Sequence, residues 1–491
     1  MAVVLGELAA GLVSPSVSPL TAVGGAVIDA VPGVVKEWAI SLFGTGDKAA
    51  LLAGMVLVIA VLAALAGVLE SRRRLAGVAV VAVFGCVGLV AVLTRAQVTP
   101  NAVAVPLVAA VAGIAMLRWL ITRLDAWRVA GDSSLTARRS FLQLLAGGAV
   151  VAAVAGLAAS ALRGAAAGIS EVRGKLRLPA GQTPAQAVPA GAENGLSGME
   201  PLVTPNPGFY RIDTALSVPL IDPQNWVLKV TGMVNREIEL DFAALLAKPM
   251  TERHVTIACV SNEVGGDLIG NALWLGWPVR ELLAMAGPRP GADMVLSRSS
   301  DGWTASTPLE VLTDSRDALL AVGMNGEPLP LEHGFPVRMI VPGLYGYVSA
   351  TKWLTELKVT RFADDVAYWT PRGWTDHGPI KTSSRIDVPR AGHSVPAGTV
   401  MFGGVAWAQH TGVAKVELRV NRGAWQEAVL AAGISRDTWY QWKLGMELTA
   451  GQHEIQVRAT DDTGKPQLEE RKPVAPDGAT GFHTIRVDVK S

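Results

Sequence analysis

One short segment concentrates the chemistry. In "VTIACVSNEVGG", residues 255–266, an apolar run of alternating type meets a polar, glycine-rich turn, and Cys259 stands at the junction. It is one of two cysteines in 491 residues. Three chemistries are open to a thiol placed there. It can be a buried hydrophobe with no further duty. It can be a nucleophile, which needs a base; His254 is five positions earlier on the same run, so the two side chains point to opposite faces, and a distant histidine such as His333 or His377 would have to serve. It can be a metal ligand. One thiolate cannot hold zinc alone, so the metal would already be chelated by an organic cofactor. No C-x-x-C or C-x-x-C-H occurs for zinc, iron–sulfur or covalent haem. The second cysteine, Cys86, lies inside the apolar run "VVAVFGCVGLVAVL" and reads as a small buried hydrophobe.

The elements that position Cys259 follow a membrane half. Mean hydropathy is +0.34 and charged residues make up 17% of the chain, with the apolar surplus mostly before residue 165. Crossing the hydrocarbon takes about 20 apolar residues. Four runs meet that length: roughly Ala49–Leu69, Leu75–Leu93, Ala102–Ile121 and Phe141–Leu162. A further segment, from about Leu20 to Phe43, is interrupted by Asp29, Pro32, Lys36 and Glu37, which suits an interfacial helix better than a fifth span. Arg72, Arg73 and Arg74 follow the first run, and Arg118, Arg123, Arg128, Arg138 and Arg139 surround the loop before the fourth, whereas the loop near residues 95–101 holds only Arg95. The positive-inside rule puts both arginine-rich loops in the cytoplasm, so everything after about Gly164 is expected outside it. "TARRSFLQ", with Arg138 and Arg139 ahead of an apolar run, resembles a twin-arginine export signal; the bland reading is two charges at the cytoplasmic end of a helix. None of the seven histidines falls in a span, so the helices are expected to be an anchor, or a platform for quinone or a partner, and not a haem wire.

A Pro-, Gly- and Ala-rich linker is expected over 165–207. Beyond it, "NWVLKVTGMV", "RHVTIACV", "DMVLSRS" and "PVRMIVPG" read as strands, and "LDFAALLAKP" and "PVRELLAMAG" carry helical spacing. After residue 365, "TVMFGGVAWAQ", "VAKVELRVN", "TWYQWKL", "HEIQVRATD" and "FHTIRVDVK" form five alternating strands without a helix signal, the pattern of an immunoglobulin-like β-sandwich. The fold class read from this order is an N-terminal helical transmembrane region of four or five spans over 1–164, the linker, an α+β domain over 208–365 and an all-β domain over 366–491. A net charge of +1 gives no electrostatic case for nucleic acid.

From about residue 200 onward the sequence resembles the sulfite oxidase superfamily of molybdopterin-dependent oxidoreductases. "FYRIDTALSVPLIDPQNWVLKVTGMV", "TIACVSNEVGGDLIGNALWLGWPVREL" and "MNGEPLPLEHGFPVRMIVPGLYGYVSATKWLTELKV" carry the likeness, in that order. The resemblance implies molybdopterin as cofactor and Cys259 as the single protein ligand of molybdenum. It adds Tyr210 and Arg211 to the catalytic set, and assigns Phe209, Tyr210, Arg211, Asn262, His333, Arg338, Thr351 and Lys352 to cofactor contact. Arginine suits bidentate phosphate binding and lysine a point charge. It also implies that the trailing β domain joins two copies of the chain.

Two departures bear on substrate. Sulfite oxidases proper place an arginine soon after the ligand cysteine; here Glu263 stands in the turn and no arginine occurs between Cys259 and Arg280. A carboxylate beside the metal repels an anion, which argues against sulfite. Asp213 also stands where many relatives have histidine. The expectation is a membrane-anchored, extracytoplasmic oxidoreductase that moves an oxygen atom and two electrons to or from a small substrate, sulfoxide-like or otherwise neutral. With no haem segment of its own, it would use a separate electron carrier or quinone. Two rivals stay open: a non-catalytic surface module with an immunoglobulin-like domain, and a thiol hydrolase.

Overall fold

The computed structural model describes residues 19–31, 42, 47–93, 103–130, 164 and 166–491. The chain divides into two compact units, Met1–Val172 with Thr214–Leu220, and Arg173–Asp213 with Ile221–Ser491.

In the first unit, helices α1 (Pro19–Ala30), α2 (Asp47–Arg72), α3 (Ala76–Leu93) and α4 (Ala104–Ala130) are described. Within α2, α3 and α4, three stretches are long and apolar enough to cross a membrane: Ala50–Arg72, Ala76–Leu93 and Ala104–Asp125. They match the first three runs read from the sequence. Between α2 and α3 the Glu70 carboxylate accepts the N–H groups of Leu75, Gly77 and Val78 and pairs with Arg118 at 3.0 Å. It thereby satisfies donors that the first turn of α3 leaves free. Of the Leu20–Phe43 segment, the structure describes chiefly α1, whose 12 residues are too few to span. The Phe141–Leu162 run and the Arg138–Arg139 pair lie outside the described residues.

The second unit begins with two sheets, the first mixed through its parallel β1–β10 pair and the second antiparallel throughout. One has the order β2 (Ile238–Asp241), β1 (Val227–Gly232), β10 (Leu354–Thr360), β5 (Met294–Ser299) and β6 (Thr304–Pro308). The other runs β3 (Thr251–Ala258), β4 (Ile269–Pro278), β7 (Leu319–Met324) and β8 (Glu327–Pro328), with β9 (Arg338–Ile340) also on β7. Helix α5 (Phe242–Leu246) starts on an Asp241 cap, whose carboxylate accepts the Ala244 N–H. Helix α6 (Val279–Ala286) buries Val279, Leu282, Leu283 and Ala286, an i, i+3, i+4, i+7 stripe, and stops at Gly287 with φ +66°. Leu282 and Leu283 are fully buried, which at transfer values stabilises by about 2 kcal/mol each. The short helices α7 (Leu309–Thr313) and α8 (Gly346–Ser349) complete this body.

Residues expected to be linker pack onto it. Ala192 and Leu202 belong to its core, Leu176 and Leu178 pack against that core, and Thr183 bridges to Thr251 at the start of β3.

The C-terminal part of the unit is all β. One sheet orders β11 (Ser383–Val388), β13 (Gly398–Trp407), β17 (Tyr440–Leu448) and β16 (Val429–Leu430). The other orders β12 (Ser394–Pro396), β19 (His483–Lys490), β18 (Gly451–Asp461), β14 (Val413–Val420) and β15 (Gln426–Glu427). Inward residues of both sheets, among them Phe402, Trp442, Val416, Ile455 and Val487, make one core. All five strands expected from alternation are present, and four more, including β11, have no comparable signal.

Candidate active site

Cys259 follows β3 directly, and the β3–β4 ladder ends at Ala258 opposite Ile269. The turn between the two strands closes on itself. Cys259 N–H donates to Leu268 O at 2.9 Å, Asn262 N–H to Cys259 O at 3.1 Å, and Gly266 N–H to Glu263 O at 2.9 Å. The Asn262 side-chain oxygen accepts the Leu268 N–H at 2.9 Å, and Gly265 takes φ +82°, where a glycine is at ease. The Cys259 sulfur accepts the Ser261 N–H at 3.4 Å, and the residue is 8% exposed. Burial pushes its thiol pKa up, opposed by the Ser261 N–H.

A second group is built around Phe209. Its ring stacks on Tyr210 with centroids 5.3 Å apart and meets the rings of Trp274 and His333 edge-on at 6.0 and 5.6 Å. Gly270 on β4 makes room for it, since a Cβ there would lie 2.7 Å from the Phe209 ring. Arg338, the first residue of β9, lies over Trp274 at 5.1 Å from the ring centroid. Its Nη1 donates to His333 O at 3.0 Å, while its Nε is buried with no hydrogen-bond partner.

A third group joins it. Lys352 Nζ lies 2.7 Å from Asp213 and donates to Glu332 O at 3.1 Å, and Arg211 Nε reaches the same aspartate oxygen at 2.9 Å. Thr351, fully buried, shares a 2.6 Å hydroxyl contact with Ser297.

Electrostatics follow from burial. Tyr210 is driven well above the usual phenol range by desolvation, with the neighbouring Cys259 adding and Arg338 opposing, so its hydroxyl stays protonated. Desolvation, then the charges of Arg338 and Lys352, pushes His333 down to about 3. Desolvation lowers Arg338 to about 10, and lowers Lys352 to about 8 against the pull of Asp213.

Of the residues singled out in the sequence, Phe209, Tyr210, His333 and Arg338 thus form one contact network. Tyr210 connects it electrostatically to Cys259, and Arg211 and Lys352 meet through Asp213. Asn262 spends its oxygen on the turn, and Thr351 faces Ser297. Sequence reasoning missed Trp274, Ser297 and Tyr345. Tyr345 is buried, and desolvation pushes it up to about 12, with the neighbouring Cys259 adding. Trp274 sits in a continuous apolar strand and reads there as ordinary core. Among the described residues no group of three or more His, Cys, Asp or Glu side chains could hold a metal ion.

Residues 215–369 match the family described as oxidoreductase molybdopterin binding domain. The chain is 30% identical to mitochondrial sulfite oxidase of Rattus norvegicus over 326 aligned positions, covering 56% of this chain and 59% of that protein. It therefore spans well under two thirds of that relative's length. It is 34% identical over 157 residues to the uncharacterized oxidoreductase YuiH of Bacillus subtilis (strain 168), covering 32% of this chain and 76% of YuiH. In fold it is similar to the sulfane dehydrogenase SoxCD of Paracoccus pantotrophus, with a TM-score of 0.51 at 23% identity, covering 59% of this chain and 84% of that one.

Proposed function

Because the chain belongs to the sulfite oxidase superfamily of molybdopterin oxidoreductases, we propose that it is a membrane-anchored enzyme transferring an oxygen atom and two electrons to or from a small neutral substrate. Cys259 is the protein ligand of molybdenum in this reading.

The residues fit the cofactor. Arg338 is a buried guanidinium whose Nε has no partner, the condition expected of a donor that awaits an anionic group. His333, Arg338, Thr351 and Lys352 would hold the phosphate end, with Phe209, Tyr210 and Arg211 along the pterin and Asn262 shaping the turn. When bound, the cofactor supplies the two-electron capacity and the open metal positions where oxygen is exchanged. This chain's own part is to seat and orient. Burial keeps the free thiol protonated, so holding a metal would require Cys259 Sγ to give up its proton. Tyr210, protonated at any working pH, offers an O–H beside the sulfur. Phe209 and Trp274, both buried, form an aromatic wall behind Tyr210 and Arg338.

Substrate class follows from charge. Lys352 is paired with Asp213, Arg338 is buried, and Glu263 occupies the cysteine turn. With Lys352 paired and Arg338 assigned to the anionic end of the cofactor, this set leaves no cation to favour an oxyanion over a neutral sulfoxide-like molecule. Electrons would pass to a separate carrier or to quinone. The helices α2–α4 would be the anchor within 1–164, with the catalytic domain (208–365) on the extracytoplasmic side after the linker (165–207). The β-rich region (366–491) would be an immunoglobulin-like sandwich that pairs two copies.

One observation carries the proposal: a buried thiol shares its surroundings with Tyr210 and, through it, with the buried guanidinium of Arg338, whose Nε has no partner. The test is molybdenum and pterin content of detergent-extracted protein, wild type beside Cys259→Ser. About one molybdenum per chain is expected in the wild type, with an altered metal spectrum in the variant. Metal-free wild type from a host able to make the cofactor would overturn the proposal and return Cys259 to a structural thiol in a surface module.

A further inference from the structure

The turn that follows Cys259 is gripped from outside by the β-rich region. Arg385, on β11, donates from Nη1 to the Gly266 carbonyl at 2.9 Å. Its side chain is 7% exposed; Nε is held by Asp387 at 2.6 Å, and Nη2 lies 3.8 Å from Glu200. His483, the first residue of β19, presses on the neighbouring glycine: a Cβ on Gly265 would lie 2.3 Å from the imidazole ring. The ring is itself fixed, since its Nδ1 accepts the Ile386 N–H at 3.0 Å. Arg385 and His483 come from different sheets, and that bond ties the two together beside the turn.

The strand leading into the turn is held by the same region. Thr256 N–H donates to Asp437 O at 2.9 Å, Trp439 N–H donates to the Thr256 hydroxyl at 2.8 Å, and the Gln409 amide donates to the Thr256 carbonyl. At Thr256 the outer edge of β3 is therefore closed by residues from far downstream, while its N-terminal end is paired with Thr183.

We propose that Arg385 and His483 are positioning residues: together they clamp the 263–267 turn and so fix where the Cys259 thiol points. Two adjacent glycines would otherwise give this turn the widest choice of backbone angles available to a chain. A desolvated guanidinium, locked by a carboxylate and donating to a turn carbonyl, removes that choice with a charge-assisted bond. The β-rich region is thus a wall of the catalytic site whether or not it also joins two chains. The effect on a metal rests on the reading of Cys259 as ligand; the clamp itself does not.

The experiment compares wild type, Arg385→Met and Arg385→Lys as full chains in detergent, made in a host blocked in pterin synthesis and in an intact one. In cofactor-free protein, hydrogen exchange of the amides of 259–268 should be at least about tenfold faster in Arg385→Met, with β1 and β10 unchanged. Arg385→Lys, which keeps the charge but not the fork, should fall between. In loaded protein the molybdenum(V) resonance should shift in the same order. Unchanged exchange at 259–268 overturns the clamp, whatever the metal does. Faster exchange with no molybdenum in the intact host leaves the clamp standing and overturns the metal reading instead. If Arg385→Met does not fold, the same two outcomes are read from Arg385→Lys.

Discussion

Lys352 and Asp213 form an ion pair at 2.7 Å with less than a tenth of either side chain exposed, and Arg211 leans on the same carboxylate from the solvent side. Removing one member of a buried pair strands the other, at a cost of about 3 kcal/mol or more. Lys352→Met should therefore lower the stability of cofactor-free protein by about that amount, and adding Asp213→Asn should recover part of it. Denaturant midpoints of the two singles and the double decide the matter. A loss under ~1 kcal/mol for Lys352→Met would mean that Arg211 alone neutralises Asp213.

Arg338→Lys keeps the charge and loses the planar fork, along with the unpartnered Nε and the stacking on Trp274. Retained pterin should drop about tenfold or more, with molybdenum falling in parallel. Pterin released by denaturation is read by fluorescence. Wild-type retention would place the anionic end of the cofactor elsewhere.

His333 gives a pH dependence whose sign follows from its surroundings. Its pKa falls from 6.5 to about 3 on folding, because burial and then Arg338 and Lys352 oppose the charged ring. Between those values the unfolded chain binds a proton that the folded chain refuses. Stability must then fall on acidification through this window, by about 1.4 kcal/mol per pH unit from this residue. His333→Gln should flatten the slope between pH 6.5 and 4 relative to wild type, measured by denaturant titration at each pH. Parallel slopes would show His333 to be protonated in the folded protein.

Gly270→Ala should damage the site with little harm to the sheet. Its Cβ would press on the Phe209 ring, which contacts Tyr210, Trp274 and His333. Close packing makes this a displacement of the ring, with a cost of about 1–3 kcal/mol. Cofactor content should fall, and the near-ultraviolet dichroism of the aromatic cluster should change. An unaltered spectrum would mean that the ring has room to move.

Much of the molecule is legible from local pattern. Alternation locates β13, β14, β17, β18 and β19, and an apolar stripe closed by Gly287 locates α6. The Cys259 turn is legible because cysteine is scarce and the polar, glycine-rich run after it is what a turn between two strands is made of. What pattern cannot supply is distance across the fold. Arg385 stands 119 residues from the carbonyl it binds, and nothing about Ser383–Val388 as a sequence points to a turn in another sheet. Asp213 raised a question of type in the sequence; only the structure gives it Lys352 as partner. Ala192 and Leu202 escape notice because their Pro- and Gly-rich surroundings have the composition of a tether, yet an apolar side chain in a tether packs wherever a groove admits it. Likewise, Asn262 reads as a contact residue by position, while its oxygen is committed to the Leu268 N–H.

The closed edge of β3 also imposes a schedule. Thr256 and the Trp439 amide it receives are 183 residues apart, so the ribosome delivers the cysteine strand long before the residues that finish its border. Until Asp437 and Trp439 emerge, β3 is a half-paired strand with open backbone groups, a surface prone to join the wrong neighbour. A chain truncated near residue 430 would carry every one of the resemblance-assigned residues and still lack the frame around them. The frame that holds the cysteine strand is a late product of synthesis.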